Sequence, residues 1–127
     1  MKVLVSDPIT DTGISILEDS GFKTLYLPDS DKKEINKAIH DVDGMIIRSG
    51  TTVDASMLES GKKLQVIGRA GVGVDNIDIQ AATRKGIVVM NTPDVNTISA
   101  AEHTIALILA LSRNIHHGHM GIDQGSW

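Results

Sequence analysis

Five short runs of aliphatic and β-branched residues recur along this chain, and most are followed by a stretch whose apolar side chains fall at helical spacing. That alternation is the pattern of a parallel sheet covered by helices, because parallel neighbours need a crossover long enough to hold a helix. The runs are Lys2–Ser6, Phe22–Leu27, Met45–Ile47, Leu64–Gly68 and Ile87–Met90. Few other arrangements tolerate them.

The intervening segments carry helix signals of their own. Between about Thr10 and Ser20, Ile9, Ile14, Leu17 and the neighbouring Ile16 fall on one side, and Gly21 supplies a C-terminal stop. Pro28-Asp29-Ser30-Asp31 reads as a loop ending in an N-cap, with Ile35, Ala38 and Ile39 inward on a helix that ends near His40. Further helices are expected over 54–60, closing at Gly61, and over Ile77 to Lys85, closing at Gly86. Right-handed crossovers make a flavodoxin-like, doubly wound five-stranded α/β sheet of order 2-1-3-4-5 the leading topology. A boundary is expected at Asn91-Thr92-Pro93-Asp94, where proline forces extended chain, dividing residues 1–95 from residues 96–127.

The second part differs in character. A long helix is expected from about Asn96 to Ile115, with Ser99 and Glu102 at capping-box spacing. Its middle, Ile105 to Leu111, is apolar on every side and calls for cover on more than one face. An interface between domains or subunits is favoured, including self-association as a homodimer through residues 96–115; packing deep against its own sheet is the alternative. The same apolar stretch is far short of the roughly 20 residues needed to span a bilayer. Met-Lys-Val-Leu-Val-Ser-Asp7 turns charged too soon for a signal peptide, so the expected location is cytoplasmic, with no membrane partner.

Composition narrows the chemistry. With 41% apolar and 22% charged residues the chain can build a core, which excludes disorder as its main state. A formal charge of -4 lacks the basic excess that phosphate-backbone binding requires, so no nucleic-acid partner is expected. There is no cysteine, hence no disulfide, thiol nucleophile or thiolate metal site.

Open parallel sheets bind ligands beyond the carboxyl ends of their strands. Arg48 follows the third run, Arg69 the fourth, and Asn96 opens the helix after the fifth. Two guanidinium groups and helix N–H groups on one edge suit a small anion, and the turn Ser49-Gly50-Thr51-Thr52 adds donors there. The alternative pairs these arginines with Asp43 or Asp75. The segment Gly68-Arg-Ala-Gly-Val-Gly-Val-Asp-Asn76 follows a strand and precedes a helix, yet counted from Gly71 the third glycine of G-x-G-x-x-G is Asn76. A tight turn with left-handed glycines is expected instead. His116, His117 and His119 are placed at the end of a helix, as a cationic C-terminus rather than a metal site, and Glu102-His103 lacks the H-E-x-x-H pattern. A phosphoacceptor receiver would want Asp where Arg48 stands, and a flavin site would want more rings than Phe22, Tyr26 and Trp127.

The runs Gly68 to Asp78, Ala81 to Pro93 and Asn96 to His103, with Val3 to Asp7 and Ile47 to Gly50, closely resemble the D-2-hydroxyacid dehydrogenases over essentially the whole chain. The resemblance implies an NAD-dependent oxidoreductase of two flavodoxin-like lobes. Residues 1–95 match its substrate-binding lobe, and residues 96–127 match a linker helix and the start of the NAD-binding lobe. It implies that Arg48, Ser49, Gly50, Arg69 and Asn96 surround a small anionic 2-hydroxyacid, and that the backbone at Val72 approaches the nicotinamide end of NAD. The family's dinucleotide fingerprint and its catalytic arginine, glutamate and histidine match positions beyond Trp127. No catalytic residue is therefore assigned here, and the chain is expected to fold but be inactive by itself. A stand-alone binding or subunit-interaction module without chemistry is the second reading.

Overall fold

The computed structural model of the chain describes residues 1–126. They form two compact units, Met1–Pro93 and Asp94–Trp127. The first holds β1 (Lys2–Val5), α1 (Asp11–Asp19), β2 (Lys23–Tyr26), α2 (Lys32–Ala38), a 3₁₀ turn (Ile39–Asp41), β3 (Gly44–Ile47), α3 (Ala55–Ser60), β4 (Val66–Arg69), α4 (Ile79–Arg84) and β5 (Val88–Asn91). The five strands make one sheet of order β2-β1-β3-β4-β5, parallel throughout, as the alternation of runs predicts.

Caps fall where short polar side chains precede helices. Thr10, Asp31, Asp54 and Asp78 each accept a hydrogen bond from a first-turn N–H of α1, α2, α3 and α4 respectively. Past α4, Gly86 adopts φ 71, a left-handed conformation that glycine takes without a Cβ penalty. The expectation for α1 needs one correction: Ile9, Ile14 and Leu17 are half-buried, whereas Ile16 is exposed, because it lies off the narrow stripe that a short edge helix turns inward.

Register explains the core. Leu4, Met45, Ile67 and Val89 are successive partners across the sheet and stand in one row. That row packs with Ile35, Ile39, Met57, Leu58, Ala81 and Ala82 in a single apolar cluster. The next row, Val5, Ile46, Gly68 and Met90, is buried at Val5 and open at Met90.

The second unit holds α5 (Thr97–Ser112) and α6 (Ile115–Asp123). The long helix expected from about Asn96 to Ile115 is α5, which stops at Ser112; Asn114 then takes φ 50 in the left-handed region, and α6 follows as a helix that was not expected. His116, His117 and His119 therefore open α6 instead of closing a helix, and the cationic C-terminus expected of them is not formed. The capping box is not formed either. Ser99 lies inside α5 and donates to the Asn96 carbonyl at 3.1 Å, and Asn96 occupies the cap position without a side-chain bond. None of α5 is buried; Ile105 is 58% and Leu109 57% exposed. No helix among the described residues is long and apolar enough to cross a membrane.

Candidate functional site

The carboxyl ends of adjoining strands put Arg48, Ser49, Gly50 and Arg69 along one rim of the sheet. Ile47 and Arg69 are register partners on β3 and β4, so Arg48 leaves β3 beside the point where Ala70 leaves β4. The Ala70 N–H donates to the Ile47 carbonyl at 2.8 Å and ties the two exits together. Ala70 also lines both neighbouring depressions, one of about 480 Å³ with Arg48, Pro8 and Thr10, and one of about 200 Å³ with Arg69, Met90 and Asn91.

Neither arginine has a carboxylate partner among the described residues. Among the described residues the ion pairs are Lys2–Asp41, Lys32–Asp54, Lys63–Asp41 and Lys85–Glu59. The alternative pairing with Asp43 or Asp75 is not formed, and Asp43 instead accepts the Lys2 N–H at 2.7 Å. Arg48 is exposed and its Nη1 donates to the Pro8 carbonyl at 3.2 Å. Arg69 is partly buried, and its Nε is buried without a hydrogen-bond partner among the described residues. A cationic fork left unpaired at a concave edge favours a carboxylate or phosphate group.

The turn after β4 holds Arg69 in place by what it omits. A Cβ at Gly71 would overlap the Arg69 guanidinium, and one at Gly73 would lie 2.7 Å from Asp75 Oδ1. Neither these glycines nor Gly68 takes the left-handed conformation expected of them; positive φ among the glycines is found at Gly21, Gly86 and Gly125. A Cβ at 71 or 73 would displace the end of the Arg69 or the Asp75 side chain. Val72 is exposed between them, and its carbonyl accepts from Asn91 Nδ2 at 2.6 Å.

Ser49 and Gly50 are exposed within the turn that follows Arg48. Asn96 belongs to the second unit, at the start of α5. Two residues without an assigned role in the sequence reading stand behind the turn. Asp7 is buried beside it, and Asn76 donates to its carbonyls. The available signal for Asp7 was a carboxylate placed directly after an apolar strand, at the edge where ligands bind. Another cavity of about 480 Å³ is lined by Asp7 with Pro28, Ser30, Lys32 and Thr51. Among the described residues no cluster of histidine and carboxylate groups is arranged to hold a metal ion.

Residues 3–121 match the model of the D-isomer specific 2-hydroxyacid dehydrogenase catalytic domain. The chain belongs to that family. It is 46% identical over 127 residues to D-3-phosphoglycerate dehydrogenase of Methanocaldococcus jannaschii, covering 100% of this chain and 24% of that protein. Against D-3-phosphoglycerate dehydrogenase of Sus scrofa it is 45% identical over 126 residues, covering 99% of this chain and 24% of that protein. The solved structure of the NAD+-bound 3-phosphoglycerate dehydrogenase of Entamoeba histolytica superposes with a TM-score of 0.74 at 35% identity, covering 87% of this chain and 38% of that one. The chain thus spans about a quarter of the length of these curated relatives.

Proposed function

We propose that these residues form the substrate-binding part of an NAD-dependent D-3-phosphoglycerate dehydrogenase, which oxidises 3-phosphoglycerate to 3-phosphooxypyruvate. The observation that carries this reading is the pair of arginines, without carboxylate partners among the described residues, at the ends of two hydrogen-bonded parallel strands. The names of the relatives supply the substrate. Arg48 and Arg69 would grip the anionic groups of the hydroxyacid, and Ser49 and Gly50 would offer donors between them. Charge-assisted contacts of this kind are the strong class of hydrogen bond, and they orient the substrate as well as retain it.

The residues present fit only one end of the cofactor. Val72 is exposed, and Asn91 fixes its carbonyl, which gives a rigid backbone edge beside Arg69. The dinucleotide fingerprint is missing from the Gly68–Asn76 turn, so the riboses and pyrophosphate find no matching cradle there. When bound, NAD supplies the hydride acceptor. A general base must also take the hydroxyl proton, and the family resemblance puts that group on polypeptide matching positions beyond 127. The chain is proposed to be inactive by itself for that reason, and α5 is proposed as a surface for self-association in a homodimer.

Titration of the purified 127-residue chain with 3-phosphoglycerate, beside an NAD reduction assay, tests the reading. Saturable binding without NADH formation is expected. Absence of binding overturns the substrate role, and steady turnover by the chain alone overturns its inactivity.

A further inference from the structure

Asp7 follows β1 and is only 5% exposed, yet it belongs to no ion pair among the described residues. Burying a carboxylate is costly unless its oxygens are occupied by donors. Here they are occupied by a single turn. Oδ2 accepts the N–H of Arg48 and, at 3.1 Å, the N–H of Thr51, while Oδ1 accepts the Thr51 hydroxyl at 2.9 Å. With its one proton spent on Asp7, Thr51 Oγ1 accepts from Ser6 Oγ at 2.9 Å.

From a different element, the Asn76 amide holds the same two residues. Its Nδ2 donates to the Arg48 carbonyl at 2.7 Å and to the Thr51 carbonyl at 2.6 Å. Turning the amide over would set its oxygen against two carbonyl oxygens, so its orientation is determined. Both ends of the turn are therefore held on N–H and C=O alike. Gly50 is constrained by the same carboxylate, since a Cβ there would lie 2.7 Å from Asp7 Oδ1.

We propose that Asp7 and Asn76 are positioning residues that hold the Arg48–Thr51 turn in the shape that receives the anion. This rests on the anion-binding role proposed for that turn. A turn ordered before the ligand arrives spares the ligand the free energy of ordering it, so the effect belongs in affinity. A role confined to stability would instead lower the melting temperature and leave the affinity of the folded molecules unchanged.

The test is an NMR titration of 3-phosphoglycerate into the 127-residue chain, with hydrogen exchange followed at the Arg48 and Thr51 amides. Asp7→Ala and Asn76→Ala are each expected to weaken binding by about tenfold, equivalent to one ordering-sized loss, and to speed exchange at both amides. Asp7→Asn keeps an oxygen for both N–H groups and is expected to recover most of the affinity. Wild-type affinity in folded Asp7→Ala and Asn76→Ala, beside weakened binding in Arg48→Ala, overturns the positioning role alone. Unchanged binding in Arg48→Ala overturns the anion-binding role, and the positioning role with it. Should Asp7→Ala not fold, Thr51→Val removes only the hydroxyl contact and, with Asn76→Ala, decides the matter by the same criteria.

Discussion

Arg69 combines two properties that seldom coexist in a merely solvated side chain: a buried Nε without a partner among the described residues and a guanidinium lying where a Cβ at position 71 would be. Arg69→Ala is expected to weaken 3-phosphoglycerate binding roughly 10- to 100-fold, the range for a lost charge-assisted contact, with the fold intact by circular dichroism. Gly71→Ala, whose backbone does not need positive φ, is expected to weaken binding as well by pushing the guanidinium aside. The double variant should be no worse than Arg69→Ala alone, and additive losses in that cycle would show that Gly71 acts by some other route. The arginines were legible in the sequence because each directly follows an apolar run, and strand ends are where such sheets bind. The clamp was not legible, because Asp7 meets its turn across 41 and 44 residues and Asn76 across 28 and 25. Spacing along the chain carries no trace of such contacts until the strand order is known.

Among the elements, α3 depends most visibly on one side chain. Asp54 caps it by accepting the Met57 N–H at 2.9 Å and reaches Lys32 of α2 at 2.6 Å. The Lys32 ammonium, and after it the Met57 N–H, hold the Asp54 carboxyl below its ordinary value. Asp54→Ala is expected to cost about 1 kcal/mol in urea unfolding at pH 7, the usual loss of a cap, with little added by an exposed ion pair. Since the folded carboxyl is the stronger acid, its contribution is complete above the ordinary aspartate pKa of roughly 4 and is lost as pH falls through the lower folded value. Wild type and variant should therefore converge in strong acid, and a constant gap from pH 7 to pH 2 would refute the assignment. Strand order and the Asp31 cap were readable because they depend on crossover handedness and local chemistry, whereas the capping box expected at Ser99 and Glu102 did not form. The existence of α6 was not readable, because Asn114, in the left-handed conformation, gives it no side-chain cap.

At the scale of the molecule, the second unit exposes an apolar helix that water alone serves poorly. Sedimentation equilibrium of the 127-residue chain is expected to show a mass that rises with concentration, and Leu109→Lys, on the same side as Ile105, should return it toward the monomer. A monomeric mass at every concentration would remove α5 from the list of interfaces. Its apolar character was evident from the residues Ile105 to Leu111, but composition alone did not say which faces stay uncovered. The pairing of Ile47 with Arg69 reaches further still. β3 and β4 are interior strands, each flanked on both sides, so sliding either by one position would turn its terminal side chain to the opposite face. The grip on an anion should consequently persist on warming until the whole sheet gives way, so that a thermometer and a titration report the same transition.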